Sequence, residues 1–210
     1  MRDLDFSTFV SQYENYPEFR QKLLDETLKP LSVCVEVGVF RGEFSELILT
    51  YNPLKLTLVD SWLCSENSGD TLFAAEMGKC SQEFFDKWES ETREKFKNDK
   101  RVEIVKKFSG DAAKGFEDQS LDWVYIDAAH HYNAVLNDLN SWMPKVKTGG
   151  YLCGDDFVVK KDHYFGVIEA VHEFLGLDKI TTSANIKHER FGDLHYEVMG
   201  AQFYIHKLDI

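Results

Sequence analysis

Five short stretches of this 210-residue sequence carry residue types and spacings that suit chemistry. The first is Glu36-Val37-Gly38-Val39-Phe40-Arg41-Gly42, an acid ahead of two glycines four residues apart. Gly38 would let a ligand approach the backbone, and Gly42 would let a helix pack closely on a strand. The pattern is not GxGxxG, and a carboxylate aimed at a diphosphate would be repelled, so the acid suits a cationic ligand; an ordinary strand-to-helix turn uses the same residues. Asp60 lies 22 positions after Gly38, where a carboxylate can accept both hydroxyl protons of a ribose, or else cap a helix or sit solvated in a loop. The others are Ser109-Gly110-Asp111, Asp127 to His131, and Asp155-Asp156. Three carboxylates converging from neighbouring strands, about 4.8 Å apart, would repel one another severely without a cation. Oxygen ligands of that kind favour magnesium, manganese or calcium, and a first-shell histidine shifts the preference toward zinc or iron. Without a metal, one of the acidic pair would cap the next helix and Asp127 would meet a bound ligand directly. His130 and His131 sit where a hydroxyl could be deprotonated, and an imidazole suits general-base work.

The elements that must position these residues follow from hydrophobic period. Phe6, Phe9, Val10, Tyr13, then Phe19, Leu23 and Leu24 predict one or two leading helices within residues 1–30, broken near Pro17. Strands are predicted over Leu31 to Val37, Leu54 to Val59, Val102 to Val105, Leu121 to Ile126 and Tyr151 to Gly154, the last preceded by Gly149-Gly150. Helices are predicted after Gly42, over Gln82 to Lys97, Tyr132 to Met143 and Gly166 to Leu175. Alternation of this kind means a parallel sheet with helices on both faces. Lys179 to Ser183 and Ala201 to His206 predict a closing antiparallel strand pair. Residues 61–81 interrupt the rhythm and read as an insertion at the ligand end of the sheet, a candidate lid. In such a sheet all the candidate residues fall at the carboxyl ends of strands, where ligands bind.

A chain of this length predicts one domain spanning residues 1–210, and 43% hydrophobic residues supply its core. The net charge of -12 disfavours nucleic acid and anionic membranes as partners. Cys34, Cys64, Cys80 and Cys153 lack CxxC spacing, the amino terminus is acidic where a secretory signal needs a basic then apolar run, and no apolar run is long enough to span a bilayer. The expectation is a cytoplasmic protein whose leading helices could cover the cleft or pair with a second copy in a homo-oligomer.

Together these motifs resemble the class I S-adenosylmethionine-dependent methyltransferases, over roughly Leu31 to Leu175. The resemblance implies a Rossmann-like fold. Glu36, Gly38, Phe40 and Gly42 would serve the methionine end of S-adenosylmethionine, Asp60 the ribose, Ser61 and Trp62 the adenine, and Gly110 and Asp111 the adenine amine, with Asp127 also at the cofactor. A narrower likeness runs through Ile126-Asp127-Ala128-Ala129-His130-His131-Tyr132-Asn133 and Gly154-Asp155-Asp156-Phe157. It resembles small metal-dependent O-methyltransferases of the macrocin and mycinamicin sugar type. That likeness implies a divalent cation, magnesium, on Asp127, Asp155 and Asp156, His130 as general base, and a small-molecule acceptor such as a sugar or another vicinal diol. A catalytically inactive cofactor-binding partner protein is the alternative, though cofactor binding alone needs neither the three acids nor His130. A nicotinamide oxidoreductase is disfavoured by the missing GxGxxG.

Overall fold

The computed structural model describes residues 16–64, 81–157, 166–177 and 189–209. The leading helix α1 spans Tyr16–Thr27, with Pro17 in its first turn, where a missing N–H costs nothing. There follow β1 (Val33–Val37), α2 (Glu43–Thr50), β2 (Lys55–Asp60), α3 (Gln82–Phe96), β3 (Val102–Lys106), α4 (Ser109–Ala113), β4 (Leu121–Ile126) and α5 (Tyr132–Trp142). A 3-10 turn over Met143–Lys145 leads into β5 (Val146–Gly154), then come α6 (Val167–Phe174), β6 (Glu189–Phe191), β7 (Leu194–Met199) and β8 (Gln202–Lys207).

The strands form one eight-stranded sheet in the order β3-β2-β1-β4-β5-β8-β7-β6. The first five are parallel, and β8, β7 and β6 close the edge antiparallel. A closing antiparallel arrangement is therefore present, with β8 at the predicted Ala201 to His206 strand; its described partner is β7, a strand not predicted, while the predicted Lys179 to Ser183 strand lies outside the described residues, as do 65–80 of the predicted lid. β5 begins earlier than predicted and carries Gly149-Gly150 inside it. A side chain at Gly150 would come within 2.8 Å of the Asp122 carbonyl, so the two strands approach each other through a glycine where the register with β4 shifts.

Period-two alternation divides the core into two layers. Val35, Val37, Val124, Ile126 and Leu152 pack with Leu139 and Trp142 of α5 and Ile168 and Val171 of α6. Cys34, Leu56, Leu58, Trp123, Tyr125 and Cys153 pack with Leu23 and Leu24 of α1, Ile48 of α2 and Trp88 and Phe96 of α3. The chain runs from β1 outward to β3, then returns to place β4 beside β1. That reversal leaves a crevice at the carboxyl ends of β1 and β4, where two successive connections leave in opposite directions. Among the described residues no helix is long and apolar enough to cross a membrane.

Candidate functional site

A cavity of about 580 Å³ opens at that crevice. Its wall is built from the β1–α2 loop, the residues after β2, Lys107 to Gly110, Asp127 to His130, one face of α5, and Arg20 of α1.

The β1–α2 loop is held by packing and by a buried acid. Gly38 has φ +89°, and a Cβ there would lie 1.8 Å from the Asp127 carbonyl oxygen, so glycine is required for the end of β1 to sit against the end of β4. Gly42, at φ +74°, lies outside the cavity wall, and a Cβ there would come within 2.7 Å of the Phe96 ring of α3. Asp60 fastens the loop: one carboxylate oxygen accepts the amides of Val39 and Phe40, each at 2.9 Å, and the other accepts the Trp62 amide at 2.8 Å. A carboxylate has about four acceptor directions, so little capacity remains for a ribose without rearrangement. Burial pushes the Asp60 carboxyl up, and these amides hold it down in part. Phe40 (φ +55°) and Trp62 (φ +41°) both adopt left-handed backbone, and the Trp62 indole donates to the Phe40 carbonyl at 2.9 Å. Phe40, Ser61 and Trp62 all line the cavity.

Glu36 also lines it, almost wholly buried, accepting from the Ser45 hydroxyl. Burial pushes its carboxyl from 4.5 up to about 8, while Ser45 and the charge of Arg20 oppose the shift.

Around Ser109-Gly110-Asp111 the structure redistributes the predicted roles. Ser109 and Gly110 face the cavity, whereas Asp111 points to solvent and pairs with Lys114 at 2.7 Å. The acid that does line this side is Asp138 of α5, buried beside Ser109 and pushed up to about 6 by that burial. The sequence reading assigns Asp138 no role. Its position three residues after Val135 and one before Leu139, on the buried stripe, was the available signal.

The acid cluster departs most from expectation. Asp127, Asp155 and Asp156 do reach neighbouring strand ends, but they do not form one ligand set. Asp155 is buried and turned inward: its Oδ2 accepts from the Arg20 guanidinium and, at 3.0 Å, from the Tyr125 hydroxyl, while its Oδ1 accepts from the Gln202 side chain and, at 2.7 Å, from the Asp156 amide. Arg20 also donates to Asp127 Oδ2 at 2.6 Å. The three carboxylates therefore do not fit a divalent cation as a set, because one of them is saturated by protein donors and shares a guanidinium with a second. The side chains that gather instead are Asp127, His130 and Asp156, whose ligand atoms lie within 4.8 Å of one another, close enough together to hold a metal ion, with His130 Nε2 3.0 Å from Asp156 Oδ2 and 3.4 Å from Asp127 Oδ1. Burial would raise the Asp127 carboxyl, but His130 and Arg20 outweigh it and hold Asp127 below the usual carboxylate range. Asp156 is held at φ +52°, a left-handed backbone that aims its carboxylate at His130.

His131, by contrast, caps α5, its Nδ1 accepting from the Ala134 amide at 3.2 Å. Adjacent rings thus face different partners. Arg20 and Gln202 were missed in the sequence. Arg20 stands on the stripe completed by Leu23, Leu24 and Thr27, at i, i+3, i+4 and i+7, so a charge on the buried face of α1 was the readable sign.

Residues 35–157 match the family described as Methyltransferase domain. The sequence has no significant match among curated proteins. Among solved structures, a SAM dependent methyltransferase from Aquifex aeolicus is 17% identical with a TM-score of 0.53, covering 97% of each chain. A protein from Klebsiella pneumoniae, provisionally described as an O-methyltransferase, is 13% identical with a TM-score of 0.58, over 93% of this chain and 80% of its own. A provisionally assigned methyltransferase from Streptococcus mutans, solved in complex with SAH, is 13% identical with a TM-score of 0.53, over 90% of this chain and 94% of its own. At these identities the likeness is one of fold.

Proposed function

The chain belongs to the methyltransferase-domain family, and from that premise we propose that it transfers the methyl group of S-adenosylmethionine to a hydroxyl oxygen of a small molecule. The observation that carries the reading is His130, held by Asp156 and Asp127 at the edge of the cavity that Glu36, the Gly38 loop and Asp60 build. A protein that only bound the cofactor would gain nothing from that arrangement, which disfavours the inactive-partner alternative.

In the proposed reaction the acceptor oxygen attacks the sulfonium methyl in line. The O–CH₃ bond forms, the S–CH₃ bond breaks with its electron pair going to sulfur, and S-adenosylhomocysteine leaves. The hydroxyl proton passes to His130. In the neutral imidazole one nitrogen donates and the other accepts, so a proton on Nε2, facing Asp156, leaves Nδ1 as the accepting atom. Asp156 and Asp127 then stabilise the imidazolium that forms, as a carboxylate does behind any histidine base. Glu36, protonated in the fold at neutral pH, offers its carboxyl group to the cationic end of the cofactor, whose positive charge favours the ionised form, and the cavity orients methyl and oxygen within reach, the effect that supplies most of the acceleration in such displacements.

No step in this mechanism runs through a divalent cation, since the expected ligand set is divided. The expectation of a vicinal diol rests on a metal gripping two oxygens, so without that support the acceptor is defined here only as a hydroxyl compound. The test has two arms. Titration calorimetry should show S-adenosylhomocysteine binding, with NAD not binding; then methyl-labelled S-adenosylmethionine should label a hydroxyl compound in a screened panel. Absence of S-adenosylhomocysteine binding would overturn the reading.

A further inference from the structure

We propose that Arg20 is a built-in counter-cation for the acid cluster at the ends of β4 and β5, occupying with one fixed positive charge the place where three converging carboxylates would otherwise draw a divalent metal ion.

The geometry carries the argument in three parts. First, Arg20 bridges two strands: its Nη2 donates to both Asp127 Oδ2 and Asp155 Oδ2, and its Nε donates to Asp155 Oδ2 at 3.1 Å. These are oxygens of the very side chains that the sequence sets side by side for a cation. Second, the guanidinium is placed, with little freedom to swing away. It stacks over the Phe44 ring at 4.8 Å and lies 5.9 Å from the Tyr125 ring, while the α1 stripe beneath it, Leu23 and Leu24, is fully buried. Third, the Asp155 carboxylate is completely enclosed, and a buried charge persists only when it is paired and hydrogen-bonded. Arg20 supplies the charge, and Tyr125 and Gln202 supply the remaining bonds.

A guanidinium and a metal ion solve the same electrostatic problem differently. Arginine is planar, permanently charged and a donor of several hydrogen bonds, so it satisfies carboxylates without stripping a hydration shell. A divalent ion entering beside it would meet a like charge sharing Asp127, and would find Asp155 already turned inward. Removing the guanidinium lifts the first condition and, at Asp155 Oδ2, part of the second. It leaves adjacent carboxylates without a counter-charge and frees the oxygens that Arg20 held.

The experiment titrates Mn²⁺ into the metal-free full chain and reads binding by calorimetry and by the electron paramagnetic resonance of free Mn²⁺. Arg20→Met is expected to bind Mn²⁺ at least about tenfold more tightly than the wild type, as removing one nearby positive charge requires. Adding Asp155→Asn to it should abolish the gain, and Arg20→Lys, which keeps the charge, should behave as the wild type. Wild-type protein binding Mn²⁺ as tightly as Arg20→Met, or a gain that survives Asp155→Asn, overturns the proposal. Thermal unfolding gives a second readout should Arg20→Met prove unstable. Its melting temperature, or its yield on refolding, should rise with Mn²⁺ while the wild type is unmoved; a variant that Mn²⁺ leaves unimproved counts against the proposal. The titration needs neither cofactor nor acceptor, so its outcome is independent of the methyltransferase reading.

Discussion

At the scale of single residues, two neighbouring histidines provide a controlled comparison. His130 faces two carboxylates at the cavity edge, and His131 caps α5. His130→Ala is expected to lower the single-turnover rate by about 10²–10⁴-fold with S-adenosylhomocysteine affinity nearly unchanged, the range for loss of a general base. His131→Ala should instead lower the melting temperature slightly, at about 1 kcal/mol for a lost cap, with a small effect on rate. Equal rate losses in both would remove His130 as base. Glu36 yields a pH prediction. Its carboxyl titrates near 8 in the fold against 4.5 ordinarily, so between those values the native chain holds a proton that the unfolded chain has released. The stability this contributes is complete below 4.5 and is lost as pH rises through 8. Glu36→Gln, which cannot ionise, should therefore flatten the decline of melting temperature between pH 5 and 8, and an unchanged slope would mean that Glu36 ionises normally. Asp111→Ala should leave S-adenosylhomocysteine affinity within about twofold of wild type, because the residue is exposed and paired with Lys114, an arrangement worth little to binding or stability. A large loss in calorimetry would return Asp111 to the adenine site.

At the scale of elements, the loop between β1 and α2 joins the fold to the site. Gly38 stands between two strand ends, and the atom a side chain would strike is the backbone of Asp127. Gly38→Val is therefore expected to unfold or strongly destabilise the protein, by more than about 4 kcal/mol, rather than produce a folded chain that merely fails to bind cofactor. Circular dichroism separates the two outcomes, and a folded, stable variant with weak binding would show that ligand space alone demands the glycine. Asp60 belongs to the same scale. Three backbone amides depend on it, so Asp60→Ala should lower thermal stability as well as cofactor affinity, each lost charge-assisted bond contributing about 1.5–3 kcal/mol at most. An affinity loss with no change in melting temperature would place Asp60 on the ribose alone.

At the scale of the whole molecule, cofactor and fold are linked through the crevice where β1 and β4 diverge. A ligand held by four connections on one sheet edge stabilises the folded state by mass action, about 2.7 kcal/mol at a hundred times its Kd. For a chain of this size that corresponds to a rise of about 5–11 °C in melting temperature with S-adenosylhomocysteine, and none with NAD. The sequence by itself determined the α/β class, the five parallel strands, and the assembly of Glu36, Gly38, Asp60 and Asp127 at their carboxyl ends. Each of those follows from local period and from glycines and acids that end strands, signals carried by contiguous residues. Tertiary structure decided what each acid does. Asp155 and Asp156 are neighbours in sequence, yet the left-handed turn at Asp156 sends one carboxylate inward to Arg20 and the other to His130. Arg20 is 107 residues from Asp127 and 135 from Asp155, and Gln202 reaches Asp155 from the antiparallel strand on the other side. A charge balance assembled from the leading helix, two parallel strand ends and the closing hairpin has no local sequence signature, because burial and Coulomb partners are fixed only when those elements meet.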